Sequence, residues 1–311
     1  MKFQNIQNQL DELRSDNASG ASEFINKALE IIKKYLRRIK DPNKIIKEDF
    51  IITLKQIIDT RPSMAPLINT MAYLINNLNQ INKNTIETRL KQIYIEKEKR
   101  FKSLEVIFQR FLEAEKSKLR KIMTLSYSST IINLLLKSKK LNFEIYVMES
   151  RPLLEGHRVA ELLSSHFQTH LIIDAAIGAY IDEIDVVLIG VDSILKDGSI
   201  INKIGTFPLA LLAKSKEKDV YAVCDTYKYN LKSHYGYDIS IKEKPISEVY
   251  NKQITNKFLE VHNYYFDITP PEYLSGIISE LGVLKIPEFL EQVTNVLPVE
   301  WFKYFINNKK I

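Results

Sequence analysis

Between Gly190 and Lys214 the chain reads GVDSILKDGSIINKIGTFPLALLAK. An isolated carboxylate, a Lys-Asp-Gly turn, an Asn-Lys pair and a Gly-Thr step are crowded ahead of an apolar helix. Asp192 stands just beyond the apolar run DVVLIG. A carboxylate at a strand end can move a proton between adjacent carbons or hold sugar hydroxyls. Asn202 and Lys203 precede a helix start at Gly205-Thr206, and a cation beside a helix amino terminus suits an anion. Glycines are too few for the Walker pattern or the dinucleotide fingerprint. Lys196-Asp197-Gly198 reads as a tight turn.

Other strand ends carry similar groups. After FEIYVME comes SRPLLEGHRVAELL, where Arg151 and Arg158 flank Glu155 and Gly156. A guanidinium fork suits phosphate or carboxylate; the competing role is an ion pair with Glu149 or Glu155. Asp174, which closes HLIID, reads as a helix cap, and Asp225 and Lys228 follow DVYAVC. His157, His166 and His170 have no metal-ligand spacing. Cys224 is the sole cysteine, which excludes an internal disulfide and a cysteine-built zinc site. It closes an apolar strand and reads as a buried, inert thiol.

These residues need elements to hold them. Up to residue 118 the periodic segments are helical. GASEFINKALEIIKKYLRRIK places Phe24, Ala28, Ile31, Ile32 and Tyr35 on one stripe; KEDFIITLKQIIDT gives a second helix, residues 66–79 a third, and NTIETRLKQIYIEKEKRFKSLEVIFQRFLEAEKSKLR one or two long ones. From Phe143 short β-rich runs (FEIYVME, HLIID, DVVLIG, DVYAVC) alternate with helical patterns, as in a parallel sheet covered on both faces. NYYFDITP adds a strand and PPEYLSGIISELG a helix. The expected fold is α/β: an all-helical amino-terminal domain, 1–118, then a Rossmann-like, doubly wound, mainly parallel sheet domain, 119–311. Ligands of such sheets sit at the carboxyl ends of the strands.

Composition narrows the function class. Of 311 residues, 45% are hydrophobic and 26% charged, the balance of a globular chain with a sizeable core. No apolar run approaches a membrane span and the amino terminus lacks a signal-peptide apolar region, so the expected location is the cytoplasm. A net charge of +6 suits anionic partners. No nucleic-acid motif accompanies it, so specific nucleic-acid binding is not expected.

Five ordered stretches, ESRPLLEGHRVAELL, LIIDAA, VLIGVDSILKDGSIINKIGTFPLALLAK, DTYKYN and FDITPPEYLSGIISELG, with RPSMAPLIN near the amino terminus, carry a resemblance. Together they resemble the regulatory α, β and δ subunits of translation initiation factor 2B and their metabolic relatives, ribose-1,5-bisphosphate isomerase and methylthioribose-1-phosphate isomerase. The resemblance implies a helical domain followed by a Rossmann-like one, with sugar phosphate bound between them. It implies ligand contacts at Arg61, Arg151, Arg158, Asp192, Asn202 and Lys203, and no cofactor or metal. The isomerases' catalytic pair is a Cys and an Asp. The Asp matches Asp192; the Cys falls at Ser126, within IMTLSYSSTIINLL, which contains no cysteine. A hydroxyl titrates far above a thiol at about 8.5, so serine replaces it poorly in acid–base work. The resemblance therefore favours a non-catalytic regulatory subunit of archaeal type. Its partner would be initiation factor 2, through the α subunit, and its pocket would hold a sugar phosphate or nucleotide as a regulator. It would assemble as a homodimer or larger homo-oligomer. The rival reading is a ribose-1,5-bisphosphate isomerase-like aldose-ketose isomerase using Asp192.

Overall fold

The computed structural model describes residues 4–16, 20–42, 48–76, 81–115 and 117–303. The amino-terminal region is helical: α1 (Gln4–Ser15), α2 (Ala21–Arg37), α3 (Glu48–Thr60), α4 (Ala65–Leu74) and α5 (Lys83–Ala114). The α2 stripe follows its period, burying Phe24, Ala28, Ile31 and Ile32, while Tyr35 is half-buried against Phe50. The third expected helix ends at Leu74, and residues 77–79 of that expectation lie outside the described residues. The long amino-acid run with no Gly or Pro forms a single helix of 32 residues, begun by Asn82, whose side chain accepts from Thr85 N.

The rest of the chain alternates: β1 (Lys121–Leu125), α6 (Ser129–Lys137), β2 (Glu144–Met148), α7 (Glu155–Ser164), β3 (Gln168–Ile172), α8 (Ile177–Tyr180), β4 (Val186–Ile189), β5 (Ser193–Ile194), β6 (Ile200–Lys203), α9 (Thr206–Ser215), β7 (Asp219–Val223), α10 (Leu231–His234), β8 (Phe266–Thr269), β9 (Gly276–Ser279), β10 (Gly282–Leu284) and α11 (Ile286–Val296). Seven strands form one sheet in the order β10-β9-β7-β4-β1-β2-β3, parallel except for the β9–β10 pair. Strand order reverses direction between β1 and β4, which opens a crevice at their carboxyl ends.

Alternate residues of the strands face two cores. Met123, Leu125, Val187 and Ile189 join the core that includes the helical region. Ile122, Val186 and Leu188 pack on the other face. Helix α5 serves both: Ile86, Leu90 and Ile93 sit in the first core, Leu104, Phe108 and Leu112 in the second. The helical region and the sheet thus share one rigid strut.

Three features depart from the reading of the sequence. KIMTL forms β1, the strand between β4 and β2. The stretch PPEYLSGIISELG holds no long helix: Pro271–Tyr273 make a 3-10 turn and Gly276–Ser279 form β9, buried throughout and parallel to β7. Four apolar residues do not distinguish a helix turn from a strand. Here Gly276 decides, since a Cβ would meet Leu284 O at 2.6 Å. A second sheet, β5-β6-β8, is antiparallel. Its β5–β6 hairpin turns at Lys196-Asp197-Gly198 as expected, with Gly198 at φ 87°. No helix among the described residues is long and apolar enough to cross a membrane.

Candidate functional site

The crevice is set by how closely the β1 and β4 ends approach. A Cβ on Gly190 would lie 2.8 Å from both side-chain atoms of Ser128, so only glycine lets the β4 end pass under the loop after β1. Ser126 follows β1 and Asp192 follows β4. Both line the two adjoining compartments of the cleft, of about 670 and 110 Å³, the larger within the range of small-molecule sites.

Ser126 holds a left-handed backbone at φ 62°, as do Ser150 at 66° and Leu154 at 57°. Such conformations are costly without glycine and persist only where surroundings impose them. Here the surroundings are polar: Ser126 N donates to Ser150 Oγ at 2.7 Å, and Ser126 Oγ donates to Glu155 Oε1 at 2.8 Å. Lys203 Nζ lies 2.9 Å from the same carboxylate, with its side chain only 5% exposed. A buried ammonium requires such a partner. Glu155 therefore serves Lys203 and Ser126, and among the described residues it pairs with neither Arg151 nor Arg158. Gly156 makes this placement possible, for a Cβ there would meet Met148 O at 1.9 Å.

The larger compartment brings together Arg61, Arg158, Asp192 and Lys203. Arg61, from the turn between α3 and α4, lies 3.9 Å over the Phe24 ring and donates through Nη2 to Asp16 O at 2.6 Å. Burial draws its guanidinium below the ordinary value, and the negative charge of Asp192 opposes that. Arg158 stacks 4.6 Å over Tyr127. Asn202 lines the smaller compartment with Asp192, and its Nδ2 donates to Thr206 Oγ1 at 3.0 Å. Lys228 enters there too, 3.9 Å from Asp192 Oδ1.

Arg151 stands apart. It is exposed, lines neither compartment, and its Nη2 reaches Glu248 O at 3.5 Å. Its backbone N–H donates to Asp174 Oδ2 at 2.7 Å, while Ser150 N donates to Oδ1. Asp174 thus braces the β2 end and does not cap its own turn. The α9 amino terminus, expected to be an anion seat, already holds one: Gly205 N and Phe207 N donate to Asp267 Oδ2. Burial pushes that carboxyl up to about 6 against these donors.

Sequence reading missed Tyr265, Lys244, Lys97 and Arg100. Tyr265 arrives because β8 pairs with β6, setting Phe266 against Lys203. Lys97 and Arg100 reach the smaller compartment from mid-α5, where a charged helix face gives no hint of a cleft. Cys224 is 1% exposed, and burial raises its thiol well above the ordinary range. His166 and His170 lie away from the cleft, whereas His157 lines it. Among the described residues no group of His, Cys, Asp and Glu is placed to hold a metal ion.

The sequence profile of the Initiation factor 2 subunit family matches residues 17–286. The chain belongs to that family. Among family members it is similar to the ribose 1,5-bisphosphate isomerase of Archaeoglobus fulgidus, 34% identical over 166 residues, 52% of this chain and 53% of that protein. It is also similar to a putative translation initiation factor eIF-2B subunit 2-like protein of Pyrococcus horikoshii, 32% identical over 173 residues, 55% of this chain and 59% of the relative. The chain spans about half the length of the curated relatives it matches. A solved Pyrococcus horikoshii translation initiation factor eIF-2B superposes with a TM-score of 0.78 at 24% identity, covering 92% of this chain and 98% of that one. The 5-methylthioribose 1-phosphate isomerase of the same organism gives 0.67 at 21%, covering 94% and 88%. At these identities the likeness carries the family fold: a helical region followed by a mainly parallel sheet.

Proposed function

We propose that this chain is a non-catalytic, regulatory member of the initiation factor 2B branch that binds a sugar phosphate or nucleotide in its cleft. Its protein partner is initiation factor 2, through the α subunit, and it works as a homodimer or larger assembly. The observation that supports this best is the chemistry facing Asp192. The position matched to the isomerases' thiol carries the Ser126 hydroxyl, committed to Glu155. The one cysteine of the chain is buried at the end of β7. A carboxylate without a matched second acid–base group lacks half of an aldose-ketose proton relay.

A second reading, isomerisation through Asp192, is favoured by its position lining both compartments and by the names of several relatives. Phosphorus NMR of ribose 1,5-bisphosphate with the purified protein separates the two. Shifted or broadened resonances without conversion over hours are expected. New resonances that vanish in Asp192→Asn would establish the isomerase and end the non-catalytic reading. The partner is tested separately: an immobilised initiation factor 2 α subunit should retain this chain, and no retention would remove it as the partner.

A further inference from the structure

Residues 238–264 contain little regular structure beyond a 3-10 turn at Ile246–Glu248, yet their central part is firmly built. Asn263 is 3% exposed, and its Nδ2 donates to Pro245 O and Glu248 Oε2, each at 2.8 Å. Lys244 N donates to Asn263 O at 2.8 Å. Tyr265 OH donates to Glu248 Oε1 at 2.5 Å. This network fixes Lys244 at the rim of the larger compartment, which it lines together with Lys242, Arg61 and Tyr265.

Two lysines meet there with different partners. Two ammonium groups approach the Tyr265 ring, Lys244 Nζ at 4.9 Å and Lys203 Nζ at 5.5 Å from its centroid. Lys203 is neutralised by Glu155. Among the described residues Lys244 forms no ion pair, and its close partner is the aromatic face. Burial lowers its affinity for a proton, and the positive charges of Arg61 and Lys242 lower it further, against Glu248. An ammonium that forms no ion pair among the described residues thus sits at the rim of a compartment that Arg61 also lines, a grouping that suits a dianion.

We propose that Lys244, together with Arg61, forms a seat for the phosphate of a phosphate monoester against the Tyr265 face of the larger compartment. This rests on the reading of the cleft as a phosphorylated-ligand site, and adds to it a recognition residue from a segment with no other assigned role. The phosphate accepts from the Lys244 ammonium and the Arg61 fork, while the remainder of the ligand extends toward Asp192.

Calorimetric titration of the full chain with ribose 1,5-bisphosphate tests the seat. Lys244→Gln should weaken binding about tenfold or more, the worth of a charge-assisted hydrogen bond. Lys244→Arg should recover most of the loss, and both variants should melt within a few degrees of the parent. Equal affinity in parent and Lys244→Gln would overturn the seat while leaving the cleft reading intact. Equal loss in Lys244→Gln and Lys244→Arg would make the residue structural and overturn it too. No binding by the parent protein would overturn both.

Discussion

Glu155→Ala should cost about 3 kcal/mol of folding stability, the usual scale for breaking a buried pair from one side. The reason is the accounting at Lys203. Its side chain is 5% exposed and its charge is balanced by Glu155, whose own side chain is 21% exposed. Removing the carboxylate strands the ammonium and leaves the Ser126 hydroxyl without its acceptor, at a residue already held in a left-handed conformation. Lys203→Met should cost less, about 1–2 kcal/mol, because Glu155 keeps the Ser126 hydrogen bond and some solvent. The double variant should fall well short of the sum, since neither charge is then left unpaired. Urea unfolding followed by the fluorescence of Trp301, the single tryptophan, which packs against Tyr73 and Tyr227, reads all three. A cost below about 1 kcal/mol for Glu155→Ala, or strict additivity in the double variant, would show that the pair does not hold the cleft together.

Glu280→Gln is expected to make the protein more stable above neutral pH. Glu280 follows β9, and its carboxylate accepts from Thr226 N at 3.1 Å and Thr226 Oγ1 at 2.6 Å. Burial, with the negative charge of Asp225 alongside, pushes its carboxyl up to about 7 from 4.5. Below pH 4.5 the group is protonated whether the chain is folded or not and contributes nothing. As pH rises from there to about 7 the unfolded chain gives up this proton first, so stability falls across that window and stays lowered above it. The shift corresponds to roughly 3–3.5 kcal/mol at most. Glutamine carries no such proton and still offers an oxygen to Thr226. The variant should therefore match the parent near pH 4 and exceed it by about 1–2 kcal/mol at pH 8. Only the difference between the two proteins matters, because other carboxylates titrate in both. Parallel stability curves from pH 5 to 8 would refute the burial argument.

What the sequence by itself determined was local in origin. Helical periodicity placed α2, α3 and α5, because burial of one stripe repeats within a few residues. Short apolar runs ending in polar turns placed β2, β3, β4 and β7, and the parallel-sheet rule then directed attention to the groups after them. That sufficed to single out Asp192, Lys203, Asn202 and Arg158, which the fold sets around one cleft, and to expect the burial of Cys224.

Tertiary structure decided whatever depends on a partner distant in the chain. GIIS is a strand because β7 offers it a ladder, whereas its own four residues fit either element. KIMTL gained its place between β4 and β2 in the same way. Asp174 and Asp267 are carboxylates whose donors lie 23 to 62 residues away, so no local pattern could separate a brace from a ligand. Arg151 and Arg158 look alike in sequence, yet Arg158 lines the cleft and Arg151 faces outward beside Glu248. Lys244 and Tyr265 entered only because β8 returns to pair with β6. A side chain's type is fixed at its own position in the chain, but its charge balance is set by neighbours that only folding assembles.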